Sequence, residues 1–241
     1  MRVYGLDFTS SPGRGKPLAV ARCRLRGGAL TLEGFEAFES FAPLAALLAS
    51  PGPWAMGCDF PFSHPASLLA QAGDFLTAGG LPARWPMAWE DYLRGVAALS
   101  PDAFKALMKS CPKDERGVRE RRRLAGIAAG ASSPMHVDFP PVGLMFHQAA
   151  RLLPDCPCDV VPQRMRGDSR KLFEVYPGVF AARFCGGKSY KEGPIAQRGL
   201  RRQRREEMLA AMASERFRQA YGLRARFGGE QAGLMAADAK G

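Results

Sequence analysis

Three acidic residues stand where the local pattern asks for apolar ones. Asp7 interrupts the β-branched and aromatic run over 3–8, Asp59 ends the almost wholly apolar run 54–60, and Glu174 lies inside 171–176. Burying a carboxylate without a partner costs several kcal/mol or forces it to take a proton, so each acid needs a metal ion, a hydrogen-bonding helix end or an arginine. Asp7 alone could simply cap the turn Thr9-Ser10-Ser11. Taken together the three suggest more, because groups at the carboxyl ends of neighbouring strands in an α/β sheet converge on one crevice. Clustered carboxylates repel one another unless divalent cations neutralise them. All-oxygen ligation selects Mg²⁺ or Mn²⁺ over zinc, and two such ions about 4 Å apart assist phosphodiester cleavage. The opposing explanation is three unrelated strand-end acids, each paired with an arginine.

The elements that must position these acids follow from apolar spacing. Strands are predicted over 3–8, 18–25 and 29–38, joined by turn residues into an antiparallel meander. Helical spacing over 41–49 leads to a buried strand over 54–60. Residues from roughly 62 to 153 show no strand pattern and read as an inserted set of helices over 66–76, 89–99, 102–108 and 143–153. Ser100 is placed as N-cap and Pro101 as the first residue of the third. Trp85, Trp89 and Tyr92 are expected as core between these helices. The charged run 113–123 is expected to be a solvated face or loop, with phosphate contact as its functional counterpart. A short edge strand over 159–161, a strand over 171–176, and helices over 179–184, 206–212 and 215–221 complete the chain, with weak helical character over 231–238. The whole is predicted to be an α/β single domain over 1–241, a mixed sheet with a helical insertion.

Five arginines between 198 and 205 precede the 206–212 helix. Cations near a helix N-terminus oppose its dipole, so either the helix starts later or these arginines have an anionic partner. The formal net charge is +11, which points to a polyanion, nucleic acid before membrane. No apolar run approaches the roughly 20 residues of a membrane span, and the N-terminus lacks a signal-peptide pattern, so a cytoplasmic location is expected. Six scattered cysteines suit buried thiols in a reducing compartment. Cys156-Pro157-Cys158 is the one close pair, and it lacks the second pair that a zinc site needs.

The order of elements resembles the ribonuclease H-like fold. More narrowly, Gly5-Leu6-Asp7, Gly57-Cys58-Asp59-Phe60-Pro61-Phe62 and Phe173-Glu174-Val175-Tyr176-Pro177 are similar to blocks of the DUF429 family, predicted ribonuclease H-like nucleases. The likeness runs over most of the chain, strong in those blocks and loose in the helical middle. It implies that Asp7, Asp59 and Glu174 are ligands of Mg²⁺ or Mn²⁺. Such nucleases take a further acid from a final helix, and Asp238 stands nearest that place, although the family's Asp followed shortly by Asp-Ala is missing here.

The resulting expectation is a metal-dependent nuclease. Lys188, Lys191, Arg201, Arg202, Arg204 and Arg205 would hold the backbone, and His64 would either assist proton transfer or serve in helix capping or packing. Two alternatives come from other classes. Asp7-Phe8-Thr9-Ser10-Ser11 is superficially like the phosphate hairpin of actin-like ATPases and sugar kinases, although no second phosphate loop follows. A non-catalytic nucleic-acid-binding protein on a decayed nuclease fold is the third reading. Residues 13–17 are not a P-loop, since no Ser or Thr follows Lys16 and no helix begins there.

Overall fold

A run of β-branched and aromatic residues opens the chain as strand β1 (Arg2–Asp7). β2 (Leu18–Arg26) pairs antiparallel with β1, and β3 (Ala29–Phe38) antiparallel with β2. Gly27 and Gly28, both at positive φ, make the two-residue turn between β2 and β3. Helix α1 (Phe41–Ala49) carries the chain over one face of the sheet to β4 (Trp54–Cys58), which pairs parallel with β1. Five helices follow: α2 (Ala66–Ala78), α3 (Trp89–Ala98), α4 (Pro101–Ser110), α5 (Leu124–Ala129) and α6 (Val142–Ala149). The Ser100 hydroxyl accepts from the Ala103 N–H at 3.1 Å and caps α4, with Pro101 at its first position.

The chain then returns to the sheet as β5 (Asp159–Val161) and β6 (Arg170–Glu174). After these come α7 (Pro177–Cys185), α8 (Arg198–Ala213), α9 (Glu215–Tyr221), β7 (Arg224–Arg226) and α10 (Gly229–Ala236). This computed structural model describes residues 1–83, 86–186, 190 and 195–237. Its seven strands run in the order β5-β6-β4-β1-β2-β3-β7. The outcome is an α/β fold on a mixed sheet, with β1-β2-β3 antiparallel and the remaining pairings parallel.

Alternation along the central strands gives the sheet two unlike faces. Tyr4, Leu6, Leu18, Val20, Trp54, Met56, Cys58, Val160 and Leu172 point to one side and are buried in a single core with α1–α4 and α6. The other side carries Gly5, Asp7, Ala19, Ala21, Gly57 and Phe173, and Gly5, Asp7 and Phe173 are exposed. The connection from β6, near one edge of the sheet, to β7, at the other edge, runs through α7–α9, and none of their side chains joins the first core.

Three elements depart from the sequence expectations. β7 has the sequence Arg-Ala-Arg, which carries no apolar period; it is a strand only because the edge of β3 offers it a ladder. Helix α5 is six residues long and buries nothing. Helix α8 starts at Arg198, at the arginine run itself, and not at 206. Part of the cost is offset because Arg205 donates through Nε to the Ala236 carbonyl, at the negative end of α10, and through Nη1 to the Tyr190 carbonyl, at 3.0 and 2.8 Å. Arg202 pairs with Glu206 one turn on, at 3.0 Å.

The two faces predict opposite outcomes for neighbouring residues of β6. Leu172→Ala should cost about 2–5 kcal/mol, because it opens a cavity in the core. Phe173→Ala, at 37% exposure, should cost well under half as much. Equilibrium urea unfolding of the two variants measures both, and equal losses would show the face assignment to be wrong.

Candidate functional site

The ladder between β1 and β4 aligns Leu6 with Cys58 and continues through the Asp59 N–H, which donates to the Leu6 carbonyl at 3.0 Å. Asp7 and Asp59 are therefore the next pair of positions on adjacent parallel strands, about 5 Å apart in backbone spacing, on the same face of the sheet. Below them in the same rows lie Gly5 and Gly57, in register with each other. A Cβ at Gly57 would press on Val175 Cγ1 at 3.1 Å, and one at Gly5 would meet only the Ala21 methyl at 3.8 Å. The acid pair thus stands over a floor of small side chains. It sits at the carboxyl ends of the central strands, where α/β sheets bind ligands.

Glu174 does not join them. The β4–β6 ladder aligns it with Cys58, and the Val175 N–H continues that ladder to the Cys58 carbonyl at 2.9 Å. Val175 occupies the row of Asp7 and Asp59, and Glu174, one residue out of step, points to the core side. There its Oε2 accepts the Phe62 N–H at 2.9 Å, and both carboxylate oxygens accept from Arg123. The Phe62 carbonyl in turn accepts from Trp89 Nε1 at 2.9 Å. The expected three-acid cluster is thus corrected to a pair plus a separate clamp. Among the described residues no group of three or more His, Cys, Asp or Glu side chains is placed to hold a metal ion. Glu174 holds the loop that leaves Asp59, and so acts on the pair through the backbone.

Arg123 is the residue that sequence reasoning missed. In the charged run, Arg119 and Arg121 also turn inward, to the Cys111 carbonyl and to Gln71, Cys111 and Pro112, while Glu120 and Arg122 face out. Arg121 and Arg123 are thus drawn into the protein from a run whose neighbours Glu120 and Arg122 are exposed. Glu120 instead pairs with His136 at 2.9 Å.

The other candidates fall out differently. His64 is buried, with Nδ1 accepting from the Tyr92 hydroxyl at 2.6 Å and Nε2 donating to the Pro134 carbonyl at 3.3 Å. Both nitrogens are engaged in the core, so the proton-transfer role is set aside for a packing one. Burial pushes its pKa down to about 3. Of the arginine run, Arg201 is buried, Arg204 and Arg205 are half-buried, and Arg202 is exposed and paired with Glu206, so the run is not a solvent-facing comb. Lys188, Lys191, Asp238 and Trp85 lie outside the described residues. The Ser11 N–H turns back to the Thr9 hydroxyl at 3.5 Å, and Gly13 bridges Lys16, so the segment behind Asp7 is a closed hairpin loop.

Two stability predictions come from these contacts. Arg123→Met leaves the Glu174 carboxylate partly buried and unpaired, and should cost about 1–3 kcal/mol in urea unfolding, less than a fully buried pair because both side chains see solvent. Arg123→Met combined with Glu174→Gln should recover part of that loss, and a fully additive double variant would mean that the two do not interact. His64 sets a pH dependence. An unfolded histidine titrates near pH 6.5, so below it the unfolded chain binds a proton that the folded chain refuses; stability falls as pH drops toward 3, by about 1.4 kcal/mol per unit from this group. His136 has the opposite sign: Glu120 raises its pKa, so its contribution is present below about 6.5 and is lost as pH rises through the folded value. Between about pH 6.5 and 4.5 the His64→Gln variant should lose about 2 kcal/mol less than the wild type, and an unchanged pH slope would contradict the buried neutral imidazole.

No family model, characterised protein or solved structure matches this chain.

Proposed function

We propose that the chain is a divalent-metal-dependent nuclease on a ribonuclease H-like fold, of the kind seen in the DUF429 family, acting through Asp7 and Asp59. The observation that carries this reading is the pair of carboxylates in one row, on one face, at the carboxyl ends of the adjacent parallel strands β1 and β4. The donor set fits Mg²⁺ or Mn²⁺: two acid oxygen groups and no soft ligand, with Mg²⁺ commonly held by one or two carboxylates, its own waters and substrate phosphates. A cation bound there would offset the charge of the phosphodiester and acidify a water.

The chain's own residues divide the remaining work. Asp7 and Asp59 hold and orient the cation, and Gly5 and Gly57 keep the floor beneath them low enough for a sugar-phosphate backbone to approach. Glu174 and Arg123 fix the loop after Asp59 from the opposite face. The net charge of +11 favours a polyanionic substrate. Hydrolysis adds water across one phosphorus–oxygen bond, leaving a phosphate end and a hydroxyl end.

The test is cleavage of DNA, RNA and hybrid duplexes with Mg²⁺ or Mn²⁺. Asp7→Asn and Asp59→Asn should each lower the rate by about 100-fold or more, the scale of losing one charge-stabilising group. Glu174→Gln should lower it by about 10-fold to 100-fold, as for residues that support ligands from behind. Cleavage that survives Asp7→Asn unchanged would overturn the assignment. Salt-dependent binding without cleavage under either metal would favour a binding protein on the same fold.

A further inference from the structure

Away from the acid pair, Cys156 and Cys158 flank Pro157 at the entrance to β5, with their sulfurs 2.7 Å apart. The backbone around them is held from outside. Arg164 donates to the carbonyls of Leu153, Pro154, Cys156 and Cys158 at 3.0, 2.6, 2.5 and 3.0 Å. Arg170 takes the Pro157 carbonyl at 2.6 Å. Arg164 is itself fixed: its backbone N–H and carbonyl pair with Val160 at 2.7 and 2.9 Å, and its guanidinium lies 5.9 Å from the Trp89 ring centroid. Two arginines thus orient five carbonyls of a six-residue turn. The turn keeps the sulfurs together whether or not a bond joins them.

We propose that Cys156 and Cys158 are a peroxide-reactive dithiol that closes to an intrachain disulfide. The Cys156 sulfur attacks one oxygen of a hydroperoxide, the O–O bond breaks, and the leaving oxygen departs as water or alcohol with the thiol's proton. Cys156 is then a sulfenic acid. The Cys158 sulfur attacks that sulfur, the S–O bond breaks, the hydroxyl leaves as water with the Cys158 proton, and the S–S bond forms. The two thiols lose two electrons and the peroxide gains them. A thiol reductant reverses the change.

The local chemistry suits this order of events. With the two sulfurs 2.7 Å apart, one thiol can donate to the other, which favours a thiolate on Cys156 and holds the Cys158 proton. Either sulfur can in principle attack, and the proposal places the attack on Cys156 and the resolving step on Cys158. Nearby Cys58, by contrast, is pushed up by its burial and stays an inert thiol. The pair is 4% and 2% exposed, which admits an oxidant scarcely larger than water and disfavours a bulky disulfide.

The full chain is treated with hydrogen peroxide, quenched by alkylation in denaturant, and digested with trypsin. The peptide spanning 152–164 should lose two hydrogens and escape alkylation, while Cys23, Cys58 and Cys111 are alkylated in full. The disulfide should form at least about 10-fold faster in the folded chain than in urea, because the turn holds the sulfurs together. In Cys158→Ser the reaction should stop at the sulfenic acid, trapped on Cys156 by dimedone present in the denaturing quench. A bond from either cysteine to Cys58, equal rates folded and unfolded, or sulfonic acid at Cys156 with Cys158 still alkylated would each overturn the proposal.

Discussion

The parallel pairing of β1 with β4 is the constraint on which the rest of the structure depends. It joins the antiparallel meander to the parallel half of the sheet, and its register decides which side chains face the core. A shift by one residue would turn Leu6 and Tyr4 to solvent and drive Asp7 into the apolar layer with Trp54 and Met56. Burying that carboxylate unpaired would cost several kcal/mol. The pairing that fills the core is thus the one that sets Asp7 beside Asp59 on the open face, so the fold and the candidate site share one determinant.

The same logic explains what the residues could and could not disclose. Strand β3 and helices α1 and α9 are legible to the residue, because period and turn chemistry coincide there: Gly27-Gly28 before β3, Ser50-Pro51 after α1, Gly222 at the end of α9. Strand β7 is not legible, since its ladder comes wholly from β3. Asp7 and Asp59 are recognisable as a pair because each ends an apolar run. Glu174 misleads for a physical reason. A glutamate inside a strand looks the same in sequence whether it faces a metal or an arginine, and which face it takes depends on a register set by a strand more than a hundred residues away. Its partner Arg123 lies in a charged run whose average composition does not distinguish the inward Arg121 and Arg123 from their exposed neighbours.

Arginine does much of the internal fastening in this chain. Arg164 and Arg170 gather the carbonyls of the turn before β5, Arg121 binds the Pro112 carbonyl, and Arg205 caps the end of α10. A planar guanidinium with five donors can satisfy several carbonyls that no helix or strand reaches, which a lysine could not match. Irregular segments can then be packed with their backbone carbonyls satisfied.

That use of arginine bears on how the charge of +11 should be read. A guanidinium bound to carbonyls keeps its full charge, so the long-range attraction for a polyanion persists, falling off over roughly 8–10 Å at ordinary salt. What it loses is the free fork of donors needed for bidentate phosphate contact. Arg164 and Arg205 would therefore add to the field that attracts a polyanion, but they have few donors left to grip one. Under the proposed nuclease reading, phosphate contacts would come from cations whose donors still face solvent, such as Arg122, in the same charged run that supplies Arg123 to the clamp behind Asp59. On that reading one short segment would serve both a phosphate backbone and the loop that carries an acid of the pair.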